Sequence, residues 1–78
     1  MLRLEDSRFA AWFRGQPETG MGYWVVTVHL KDGRSFPQAV VDGGYLTRIK
    51  GRADVPFLEE EIGTLQVTHD KWDWRSED

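Results

Sequence analysis

Residues 23–34 read YWVVTVHLKDGR, and this stretch decides the fold. Tyr23 to Leu30 is almost wholly β-branched or aromatic and has no strong helix former before its end, which reads as a strand. Alternation puts Trp24, Val26, Val28 and Leu30 on one face. Tyr23, Val25, Thr27 and His29 fall on the other, which is mixed in character. The Asp32-Gly33 pair that comes next is a strong hairpin signal, because glycine reaches positive φ at little steric cost. Ser35 to Val41 is then the return strand. Pro37 has no N–H to give a ladder, so its position marks an edge, a bulge or a strand start. Asp42-Gly43-Gly44 makes a second turn, and Tyr45 to Lys50 a third strand.

Outward from this meander the signals thin. Gly51 to Val55 is a polar connection, and Pro56 is suited to open a short helical turn near 56–62. Glu59, Glu60 and Glu61 favour the positive end of such a turn, and Gly63 ends it. Leu65 to Thr68 is the last strand, with Leu65 and Val67 on one face. Toward the N-terminus, Asp6 or Ser7 can cap a short helix in which Phe9, Trp12 and Phe13 share a face. The same residues also fit a strand paired with Tyr23–Leu30 across the loop 15–22, and spacing leaves both open. The expectation is one small, mostly-β domain over residues 1–78. It holds a three-stranded antiparallel meander plus one further strand, forming a partly open barrel or curled sheet, with a short N-terminal helix or extra strand.

Residues 26–49, VTVHLKDGRSFPQAVVDGGYLTRI, resemble the first motif of the Sm-like small β-barrels: a strand, an acidic-glycine turn and a strongly bent second strand. That resemblance implies a small barrel and, as a secondary expectation, RNA binding. Two departures are visible. Pro37 interrupts the second strand, and the later residues read PFLEEEIGTLQVTHD in place of the family's second motif.

Composition narrows the function classes. The chain has 78 residues with no cysteine, which removes disulfides, thiolate metal sites and thiol nucleophiles together. Apolar runs are too short for a membrane span, and the first fifteen residues lack a secretory core, so a cytoplasmic location is expected. The initial methionine and the absence of a tag suggest a complete small reading frame. A chain this short buries only about 60% of its unfolded surface, so its four tryptophans and four phenylalanines are needed mostly for the core.

Catalysis has little material. His69-Asp70 matches the adjacent pair of some metal-dependent phosphohydrolases, yet His29 is the one other histidine and no supporting spacing exists. There is no phosphate-binding glycine loop and no nucleophile elbow, so a non-enzymatic domain without cofactor or metal is expected. The first expectation is protein binding, self-association included, through a strand edge or the tail HDKWDWR, with Trp72, Trp74 and Tyr23 as anchors. If the last strand ran straight on, Trp72 and Trp74 would face away from the core. If a turn at His69-Asp70 resets the phase, they fold back as core rings.

The alternative is single-stranded nucleic acid. Residues 31–52 hold Lys31, Arg34, Arg48, Lys50 and Arg52 against Asp32 and Asp42. In an extended strand Arg48, Lys50 and Arg52 would project from one face as a cationic stripe, with Lys31 and Arg34 extending it. The overall pI near 5.3 and the acidic residues 53–78 weigh against a dedicated nucleic-acid binder.

Overall fold

A computed structural model describes residues 1–4, 8–52, 54–69 and 71–72. The elements are β1 (Leu2–Arg3), α1 (Ala10–Arg14), β2 (Tyr23–Leu30), β3 (Ser35–Asp42), β4 (Tyr45–Ile49), a 3-10 turn at Glu59–Glu61, and β5 (Ile62–Val67). All neighbouring strands are antiparallel, in the order β1-β4-β3-β2-β5. The meander is β2-β3-β4, and β5 returns to the free side of β2. The result is a curled half-barrel.

The N-terminal segment is helical, with Phe9 at the N-cap and no side-chain cap. The capping expected of Asp6 or Ser7 lies outside the described residues. Two-residue β1, pairing Leu2 with Leu46 and Arg3 with Tyr45, is an element that pattern did not suggest.

The curl comes from bulges. Each of the three main pairings contains one register shift. Between Val26↔Ala39 and Val28↔Phe36, β3 has Pro37 and Gln38 opposite the single residue Thr27. Gln38 takes φ 59°, the left-handed conformation that a bulge's turning residue adopts. Pro37 therefore sits where the ladder is already interrupted. In β4, Thr47 is the extra residue, and in β5 it is Gly63. Gly63 thus lies inside a strand instead of ending the helical turn. A Cβ there would meet the His29 carbonyl oxygen at 3.2 Å, so glycine permits the close backbone approach.

An extra residue flips side-chain parity. Phe36 shares the concave face with Ala39 and Val41, and Leu46 with Ile49, because a bulge intervenes in each case. Val26, Val28, Leu30 and Ile62 complete that wall, and Phe9, Phe13 and Phe57 pack into it. Rings meet at 5.0 Å for Phe13–Trp24 and 5.2 Å for Phe36–Phe57. This is the main core.

A second, smaller cluster lies on the convex face: Tyr23, Val25, Val40 and Trp72. The loop before β2 supports it, since the Tyr23 ring rests directly on Gly20. Thr19 ties the loop in, its Oγ1 donating to the Thr68 carbonyl at 2.8 Å and accepting from the Val25 N–H at 2.9 Å. Trp24 Nε1 donates to the Gln16 carbonyl at 3.2 Å.

Candidate functional site

The open side of β5 is where the fold leaves backbone groups facing outward. The Thr68 N–H donates to the Val25 carbonyl at 2.8 Å, which fixes the phase of the β2–β5 ladder. With Thr27 opposite Gln66 and His29 opposite Thr64, these are the pairs whose backbones face each other. Leu65 and Val67, between them, therefore turn N–H and C=O away from β2. Among the described residues no strand pairs with that edge.

The side chains alternate as well. Thr64 and Gln66 are exposed on the outer face, while Leu65 and Val67 are half-buried against the core. Ile62 to Thr68 reads IGTLQVT, with neither charge nor proline. Natural edges are usually blunted by charges, prolines, shortness or bulges. The opposite edge of the sheet ends in the two-residue β1. On β5 the bulge at Gly63 interrupts the start, and Thr64–Val67 runs on in unbroken register with β2.

A groove of about 360 Å³ runs beside this edge, lined by Arg8, Phe9, Trp12, Gly63, Thr64 and Leu65. Arg8 organises its rim. Its guanidinium donates to the Ile62 carbonyl, pairs with Glu59 at 3.2 Å and lies 4.2 Å from the centre of the Phe9 ring. The 3-10 turn is set by Glu61, whose carboxylate accepts from the Leu58 N–H at 2.7 Å. The edge is thus closed at its start by Arg8 and, among the described residues, open from Leu65 onward.

The residues singled out by sequence are placed differently. Tyr23 is 8% exposed and Trp72 6%, so in the single chain both rings serve the convex-face cluster and offer a partner little surface. That is the folded-back arrangement of the tail. Trp74 lies outside the described residues.

The cationic stripe does not form as alternation suggests. β4 ends at Ile49, Gly51 takes φ 81°, and Arg52 forms a bridge back to Ile49. Arg48 stands opposite Val40, on the convex face. Arg52 instead reaches the Phe36 ring, 5.2 Å from its centre, at the border of the concave core. Lys50 is exposed in the turn between them. In the β2–β3 hairpin Lys31 is exposed, and Arg34 is engaged locally. The Arg34 N–H and Nε bind the Asp32 carboxylate at 3.1 and 2.9 Å. The backbone hydrogen bond first, then the guanidinium, hold that carboxyl below its ordinary value of 3.8.

His29 is half-buried and His69 exposed; Asp70 lies outside the described residues. Among the described residues no three His, Asp or Glu side chains gather as a metal site, and no helix is long and apolar enough to cross a membrane. Sequence reasoning did not single out Arg8, Phe9, Trp12 and Leu65 as a group. The signal available was the uncharged run Ile62–Thr68 in an otherwise charged C-terminal third. No protein-family model, curated protein or solved structure matches this chain.

Proposed function

We propose that this chain is a non-enzymatic protein-interaction domain that takes an extended segment of a partner onto the open edge of β5. The observation that carries the reading is the outward-facing backbone of Leu65 and Val67, uncharged and beside an apolar groove. Strand addition gains affinity from main-chain hydrogen bonds and specificity from pockets that take alternate side chains. Here a partner's inward side chains would enter the groove at Phe9 and Trp12, while its outward ones would lie beside Thr64 and Gln66. The Sm-like resemblance of residues 26–49 enters this proposal as architecture and not as ligand. The nucleic-acid alternative is less well supported, because Arg48 and Arg52 are divided between the two faces of the sheet.

The test is a chain synthesised with N-methyl-leucine at position 65. The methyl group removes one outward donor and blocks the edge, leaving the Leu65 side chain and the β2–β5 bonds in place. Ligands selected from a random-peptide library should bind the unmodified chain and lose at least tenfold in affinity for the methylated one. Their binding should change little between low and high salt, whereas phosphate contacts fall steeply with salt. Selected peptides indifferent to the methyl group, or steeply salt-dependent binding of a single-stranded oligonucleotide, would overturn the reading.

A further inference from the structure

We propose that the segment taken by the β5 edge is the C-terminal end of a partner chain, lying antiparallel to β5 with its terminal carboxylate on Arg8 and an apolar last side chain in the groove. This rests on the edge reading above and adds the direction, the terminus and the last residue.

The place where the edge closes sets where a partner must stop. Leu65 and Val67 turn N–H and C=O outward, and an antiparallel partner sets one residue opposite each and exchanges both bonds with it. Toward the start of β5 this ladder ends. The Ile62 carbonyl is already held by the Arg8 guanidinium, and Gly63 is the extra residue of the bulge. A strand that ran past this point would have to displace Arg8, and a strand that ends there would not. The residue opposite Leu65 is thus the last one bonded to the edge. After it come one residue opposite Thr64 and a final residue level with Gly63.

Charge fixes the direction. Among the described residues Arg8 is the one charged group that lines the groove. Its side chain is 47% exposed, its Nε pairs with Glu59 at 3.2 Å, and its Nη2 donates to backbone carbonyls of Glu59 and Ile62. Nη1 has no hydrogen-bond partner among the described residues, and a guanidinium has donors enough to serve Glu59 and a second carboxylate. Glu61 is engaged elsewhere, at the Leu58 N–H. An antiparallel partner brings its C-terminal carboxylate to Arg8, where charge-assisted hydrogen bonds form. A parallel partner would bring its N-terminal ammonium to the same cation.

The face of each partner side chain follows from the ladder, because residues directly opposite point to the same side of a sheet. Leu65 packs toward the concave core, so the partner residue opposite it points that way, and so does the final residue two further on. That final side chain lies over Gly63, which has none of its own, and between Phe9 and Trp12. A large apolar side chain fills this space and covers both rings. The residue between, opposite exposed Thr64, lies on the outer face and is free to be polar.

Short random peptides, made once with a free C-terminal carboxylate and once with a carboxamide, provide the test. On the unmodified chain the acid library should give binders ending in Leu, Ile, Phe or Met, and remaking each as its carboxamide should weaken it at least tenfold. Adding two glycines after the last residue should cost as much, which separates a chain terminus from an internal Asp or Glu. With Arg8→Gln the acid and amide forms of one peptide should bind within twofold of each other. The acid-to-amide ratio on the unmodified chain is decisive whether or not that variant folds. Binders that tolerate amidation or extension overturn the terminal reading, and an acid preference that persists in Arg8→Gln overturns the role of Arg8. If such binders still weaken on the N-methyl-Leu65 chain, the edge reading survives; if none of them does, both fall.

Discussion

Gln38 is the one non-glycine residue with a positive φ among the described residues, at 59°. A non-glycine residue in the left-handed region costs roughly 1–2 kcal/mol, and here the bulge that bends β3 requires it. Gly33 also has a positive φ, 99° in the β2–β3 turn, and is the residue that permits it. The two positions should respond oppositely. Gln38→Gly should hold or raise stability by up to about 1 kcal/mol, and Gly33→Val should lower it by about 1 kcal/mol or more. Thermal melts of the two variants against the parent check both signs. Gly33 was legible from the Asp-Gly pair, since few other residues suit that turn. Gln38 was not, because nothing in a glutamine announces a left-handed backbone; only Pro37 beside it signalled a break in the ladder.

At the scale of elements, Trp72 takes the folded-back one of the two arrangements that the sequence left open. Trp72 covers Tyr23, Val25 and Val40 on the convex face, which would otherwise leave valines of a two-sided sheet in water. A tryptophan buried this well costs roughly 3–5 kcal/mol when cut to alanine. Trp72→Ala should therefore melt well below the parent. Denaturant titration of that variant checks the size of the loss, and an unchanged midpoint would mean the ring is not a staple. β2 was readable because it carries no extra residue of its own and every side chain obeys a period of two. β3, β4 and β5 each contain one extra residue, at Gln38, Thr47 and Gly63, and each flips the phase of the side chains beyond it. Arg48 and Arg52, aligned on paper, part for another reason: β4 ends at Ile49 and Gly51 turns the chain with φ 81°.

Across the whole molecule, a half-barrel leaves the problem that a closed barrel removes: two edges. One ends in the short β1 strand. The other, β5, has its start capped by Arg8, and among the described residues no strand pairs with the rest, which lies next to the groove lined by Phe9 and Trp12. A mostly-β fold with a meander and one further strand was legible from alternation and turn residues. The identity of the exposed edge was not, since it depends on which side of β2 the last strand returns to, and no local pattern encodes that. Amide hydrogen exchange tests the consequence most directly, read residue by residue along β5 with and without a selected edge-binding peptide. Slow exchange is expected throughout at Thr64, Gln66 and Thr68, whose amides face β2. Leu65 and Val67 should exchange fast in the free chain and slow at least tenfold when the peptide is bound. Leu65 and Val67 amides that stay fast with the peptide bound would contradict pairing through this edge.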